Sequence, residues 1–132
     1  MEEKKLTLEY PLKAKSRSIV WSMIGDAAGL SKWLADQVSE DNGKITFTWG
    51  QPWTERDTKV SEVIEREKNQ YIRLKWDYFE DEDSFWEMRI VDNELEDGLN
   101  LHITDYALED DIDDLHELWD QNMERLHRVS GL

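Results

Sequence analysis

The sequence predicts an α+β fold: a curved antiparallel sheet of about six to seven strands wrapped around one long C-terminal helix, with two short helices after the first strand. Three observations predict it. Apolar residues alternate at period two between turn signals through the middle of the chain, the period lengthens to 3.6 near Asp111, and most of the seven tryptophans fall on the apolar phase of those patterns.

Leu6, Leu8 and Tyr10 alternate with polar residues ahead of Pro11, as in a strand with one buried face. Ser16 is placed to cap a short helix carrying Ile19, Val20, Met23 and Ile24, which Gly25 ends, and Asp26 to cap a second with Leu30, Trp33 and Leu34. Asp41-Asn42-Gly43 reads as a tight turn, since Asn and Gly tolerate positive φ. Ile45, Phe47 and Trp49 then share one face of a strand. Gly50-Gln51-Pro52 interrupts the pattern, and residues 53–64 resume it as a long polar strand in which Val60 and Val63, three apart, break strict alternation. Ile72, Leu74 and Trp76 form the next strand, an acidic hairpin tip follows at 80–83, and Trp86, Met88 and Ile90 return. Asp97-Gly98 turns into the last strand, with Leu99, Leu101 and Ile103. Ile112, Leu115, Trp119, Met123 and Leu126 make one stripe of the final helix, with Asn122 beside it. Its acidic N-terminus and basic C-terminus suit the helix dipole.

The composition excludes several functions. Thirty-one Asp and Glu against sixteen Lys and Arg, a formal net charge of -15, repel nucleic acid and anionic membrane surfaces. With no cysteine there is no disulfide scaffold, thiolate metal site or thiol nucleophile. The charged start has no apolar stretch behind it and no run is long enough to span a bilayer, so a cytoplasmic single domain over residues 1–132 is the expectation. The aromatic content argues against disorder.

The segment 10–34, with Ser16-Arg17-Ser18-Ile19-Val20-Trp21 opening one helix and Asp26-Ala27-Ala28-Gly29-Leu30-Ser31-Lys32-Trp33-Leu34 following, resembles the opening of the START-like, Bet v 1-like helix-grip superfamily (SRPBCC). The segments 43–49, 60–76 with its closing Lys75-Trp76, and 98–105 resemble it too, nearest to the branch named after the activator of the heat-shock-protein-90 ATPase. The resemblance implies a sheet gripping the last helix, with a cavity that in many relatives holds a lipid, sterol or other apolar molecule.

Phe47, Trp49, Leu74, Trp76, Met88, Leu101, Ile103, Trp119 and Met123 would line such a space, with Asp105 and Asn122 as its polar groups. An apolar ligand pocket, in which the indoles offer stacking surface and N–H donors, is one reading; a filled core is the other, and alternation does not separate them. Asp105 is either an acid or base at the cavity edge or a cap of the following turn. His116 and Asp120 share a helix face but lack a third ligand, so no metal is expected. The acidic segment 92–98 lacks the glycine and glutamate placement of a calcium loop. No phosphate loop, dinucleotide fingerprint or nucleophile elbow is present, so no cofactor and no catalytic residue is assigned. The expected function is non-enzymatic binding of a hydrophobic small molecule or lipid. The alternatives are a protein-interaction or chaperone-regulating module acting through the acidic surface, and a cyclase- or hydrolase-like enzyme.

Overall fold

A computed structural model of the chain describes residues 3–50, 53, 55–79, 81–93, 95 and 98–132. Its elements in order are β1 (Lys4–Leu12), α1 (Arg17–Ile24), α2 (Ala27–Leu30), β2 (Gln37–Asp41), β3 (Lys44–Trp49), β4 (Asp57–Glu67), β5 (Tyr71–Trp76), β6 (Trp86–Asn93), β7 (Gly98–Ala107), a 3₁₀ turn (Glu109–Asp111) and α3 (Ile112–Ser130); β2 has no counterpart in the sequence patterns, α2 ends before Trp33 and Leu34, and β4 runs three residues beyond Ile64. The strands form one antiparallel, unclosed sheet in the order β1-β7-β6-β5-β4-β3-β2. Each hairpin places the next strand beside the last, and β1 closes onto β7 across the whole chain length.

Two glycines fix the helical corner. Gly25 ends α1 with an ordinary φ of -85°, so its role is space: a Cβ there would stand 2.3 Å from the Trp21 ring. At Gly29 a Cβ would lie 2.1 Å from the Ser22 carbonyl oxygen, so only glycine lets α2 pack against α1. Asp26 caps α2 by accepting from the Gly29 N–H at 2.9 Å. Ser16 sits at the start of α1, but its hydroxyl meets Ser18 instead of capping the backbone. The Trp33 indole donates to the Met23 carbonyl, and Arg125 reaches from α3 to the Trp33 carbonyl. The corner is thereby tied to the final helix.

The strand β2 has a single apolar residue, Val38, and lies at the edge of the sheet, where little burial is demanded of it. Asn42 and Gly43, with φ of 51° and 78°, form the two-residue hairpin joining it to β3. In β4 the register places Asp57 opposite Trp49, Lys59 opposite Phe47, and Ser61 opposite Ile45 and Trp76, so these polar residues face the helix. Val60 pairs with Thr46 on the other side, and a bulge follows between Val63 and Glu65. The spacing of the two valines reflects opposite faces of one strand. Of the acidic tip at 80–83, Glu80 lies outside the described residues; Lys75 holds the Asp81 and Glu82 carbonyls. Asp97, of the turn ahead of β7, also lies outside them.

Helix α3 lies across the inner face. Its buried residues are Trp119, Asn122, Met123 and Leu126, and Gly131, at φ 77°, terminates it by donating to the His127 carbonyl. On the outer face Glu87 is buried between Arg73 and Arg89. Burial alone would raise its carboxyl, yet the hydrogen bonds from Arg89 and Arg73 hold it below the ordinary range. No helix among the described residues is long and apolar enough to cross a membrane.

Candidate functional site

The inner ends of β3, β5 and β6 bring four large rings together because alternation aims Phe47, Trp49, Trp76 and Trp86 at the same side. Trp76 and Trp86 stack in parallel at 5.0 Å, and Phe47 meets Trp76 edge-on at 5.2 Å and Trp86 at 5.8 Å. Tyr78 extends the stack from Trp76 at 5.7 Å, while Trp119 carries it to the helix, 6.1 Å from Trp86. Such pairs add to simple area burial and hold the rings in fixed relative orientations.

The indole N–H groups are largely spent within the protein. Trp49 donates to the Leu34 carbonyl at 2.9 Å, Trp86 to the Ser61 hydroxyl at 2.9 Å, and Trp119 to the Asp105 carboxylate at 2.9 Å. Of these three rings only Trp49 keeps appreciable free surface, Trp86 and Trp119 being 1% and 3% exposed, and none has its N–H free.

Between sheet and helix lies a cavity of about 280 Å³, whose walls include Leu34, Trp49, Trp76, Trp86, Trp119 and Asn122. A second space, of about 520 Å³, adjoins it toward the start of α3; both are lined by Lys59, Tyr78, Tyr106, Leu115 and Leu118. The inner cavity is slightly smaller than the usual ligand pocket, and the outer one continues it toward solvent.

The structure brings Trp49, Trp76, Asp105, Trp119 and Asn122 together at the cavity wall. It puts Phe47, Leu74, Met88, Leu101, Ile103 and Met123 in the close-packed core, each with at most 2% of its surface exposed. The aromatic interior is thus close-packed around Phe47 and borders open volume at Trp49 and Trp76. Sequence reasoning missed Asp57, Lys59 and Tyr78 as cavity residues, and left Trp86 with the strand core. The signal for Asp57 and Lys59 was available in the pairing: opposite inward Trp49 and Phe47, antiparallel partners must face inward too.

Asp105 faces the cavity with 5% of its surface exposed. One carboxylate oxygen accepts from the Trp119 indole and the other from the Tyr106 N–H at 2.8 Å. It is thus both a local cap and a strut from sheet to helix. Burial pushes its carboxyl up to about 6, against the pull of the Trp119 and Tyr106 hydrogen bonds and with a further push from Glu3. Asn122, also buried, lines the same cavity. Lys59 stands across the cavity mouth, 3.9 Å from Asp57.

Where α3 passes β1, His116 lies 3.7 Å from Asp120, which accepts from the Tyr10 hydroxyl at 2.6 Å. Among the described residues no three His, Asp or Glu side chains converge to hold a metal ion.

Comparison with known proteins places this geometry. The START-like superfamily domain model matches residues 1–132. A Bacteroides fragilis protein solved in solution by NMR is 36% identical, with 97% of this chain and 91% of that one covered and a TM-score of 0.63. A Staphylococcus aureus protein of unknown function superposes with a TM-score of 0.75 at 11% identity, covering 98% of this chain and 94% of its own. The Aha1 dimer of Colwellia psychrerythraea does so with a TM-score of 0.67 at 11% identity, covering 98% and 97%. At that identity the last two show a shared fold. No curated protein matches the sequence.

Proposed function

The chain belongs to the START-like superfamily, and from that premise we propose that it binds a hydrophobic small molecule or lipid tail between the sheet and α3 without transforming it. The observation that carries this reading is the 280 Å³ cavity walled by Trp49, Trp76, Trp86 and Trp119. An indole face turned to an empty volume is apolar surface that a guest can cover, and covering it is favourable without any directed bond. In this reading Asp105 is a strut between sheet and helix, its two carboxylate oxygens held by the Tyr106 N–H and the Trp119 indole.

A guest burying roughly 200 Å² against these rings gains about 5 kcal/mol, before the cost of its lost freedom. Hydrocarbon alone therefore binds no more tightly than about the millimolar range.

The test is occlusion. Leu115 lines both spaces and is only partly buried, so Leu115→Trp fills the passage without emptying the core. Binding of an apolar fluorescent dye, read by energy transfer from tryptophan, is expected to weaken about tenfold or more, with the thermal midpoint within a few degrees of the parent. Unchanged dye affinity in a folded Leu115→Trp protein would refute the assignment of the cavity.

A further inference from the structure

The polar lining of the cavity assigns a charge to its ligand. Lys59 projects from β4 into the mouth shared by the two spaces. Its ammonium lies 5.8 Å from the centre of the Trp49 ring, 5.3 Å from that of Tyr78 and 3.9 Å from the Asp57 carboxylate. A cation flanked by two aromatic faces and a carboxylate is the arrangement that recognises ammonium groups, because the ring quadrupoles and the carboxylate all favour positive charge. Here the protein's own chain supplies that cation. The lysine side chain is 42% exposed, and its flexible stem can carry the ammonium out to water.

The remaining charges at the site agree in sign. Asp105 lines the inner cavity, and Glu3, Asp111 and Asp114 line the outer one, whereas Lys59 is the single Lys or Arg among the described residues lining either. The Tyr78 hydroxyl responds to that field: burial, and then the charges of Asp105, Asp77, Glu3 and Asp57, all raise it. An anionic head would have one ammonium to meet, already paired with Asp57. The indole N–H groups of Trp49, Trp86 and Trp119 are engaged elsewhere.

Resting on the reading of the cavity as a ligand site, we propose that the ligand is a cationic amphiphile: its amine or quaternary ammonium replaces the Lys59 ammonium between Trp49 and Tyr78, and its apolar body lies against Trp76, Trp86 and Trp119. The charged end then supplies the affinity that hydrocarbon alone lacks. Lys59 acts as an internal competitor, holding the cation position until a ligand displaces it.

The experiment is displacement of the dye by three probes sharing one tail, octyltrimethylammonium, octanol and octanoate, from the parent protein, Lys59→Met, Asp57→Asn and Leu115→Trp. The parent is expected to prefer the ammonium probe to octanol by several-fold and to bind octanoate least. In Lys59→Met the preference for ammonium widens to about tenfold or more while octanol changes by less than about twofold. In Asp57→Asn the ammonium probe weakens and octanol does not. Equal binding of all three probes, unmoved by Lys59→Met, would leave the cavity as an apolar site and overturn the charge assignment. Octanoate binding tightest and failing in Lys59→Met would reverse its sign. Ammonium binding that persists undiminished in Leu115→Trp would be adsorption to the acidic surface and would also overturn it. Failure of every probe to displace the dye would remove the cavity reading, and this inference with it.

Discussion

Replacing Trp86 by alanine is expected to cost about 4 kcal/mol of folding stability, the largest effect of any single substitution considered for this protein. The side chain is 1% exposed, touches Phe47, Trp76 and Trp119 through its ring, and donates its indole N–H to Ser61, which is itself fully buried. Truncation leaves a void among three rings, of which Trp119 is pinned by its hydrogen bond to Asp105 and cannot simply collapse inward. It also leaves a buried hydroxyl without its donor. Against a typical total of about 5–15 kcal/mol, such a loss brings the domain close to unfolding. Trp86→Phe separates the two contributions: it keeps most of the packing and removes the donor, so a cost of roughly 1–2 kcal/mol is expected. Urea denaturation at one pH measures both. A loss below about 1 kcal/mol for Trp86→Ala would contradict the placement of Trp86 as the keystone between sheet and helix.

The second large effect is a pH dependence centred on Asp105. Its carboxyl rises from the ordinary 3.8 to about 6 in the folded protein, mainly through burial. A raised acid binds its proton more tightly in the folded state, so between about pH 4 and pH 6 the folded protein holds a proton that the unfolded chain has released. Stability from this group is accordingly complete below about pH 4 and is lost as pH climbs through 6, by a few kcal/mol in all. Asp105→Asn carries no charge at any pH, but its amide nitrogen must face either the Trp119 indole or the Tyr106 N–H, two donors that the carboxylate satisfied. At about pH 4 the variant is expected to be the less stable protein. By about pH 7 it is expected to have gained on the parent by roughly 3 kcal/mol. Subtracting the two denaturation series removes the contribution of the other carboxylates. A difference that stays constant with pH would contradict the account of Asp105 as a buried, strained charge.

Much of the fold was legible because alternation and turn chemistry agreed: Asn42-Gly43 makes the hairpin its residues demand, and Asp26 caps α2. The strand β2 was not legible, since an edge strand with Val38 as its one apolar residue carries no periodic signal. At the site, Trp49, Trp76 and Trp119 could be placed from phase alone, and Asp105 followed because it continues the phase of Leu101 and Ile103. Period two says which way a side chain points but not how much room lies in front of it, so Phe47 in the core and Trp49 at the cavity wall looked alike. The charged half of the site was hidden for the opposite reason. Asp57 and Lys59 occupy the inward phase of β4 while Val60 occupies the outward one, an inversion of the usual pattern that is tolerated because this end of the strand borders open volume. Only the pairing with β3 reveals it.

The acidic surface has a corresponding division. Most of the net charge of -15 is solvated, but Asp57, Asp105, Asp111 and Asp114 face the groove. Composition reports the sum and not the placement.

The most direct measurement uses the tryptophans as resident probes. In a nitrogen-15 correlation spectrum each of the seven indole N–H groups gives its own signal, assignable by single Trp→Phe substitution. On titration with octyltrimethylammonium the signals of Trp49, Trp76 and Trp119, which wall the cavity, are expected to move together along one saturable curve. Those of Trp33, buried against Met23, and Trp53, exposed on the surface, are expected to stay in place. Movement confined to Trp53, or no movement at all at millimolar probe, would contradict the assignment of the space between sheet and helix as a ligand site.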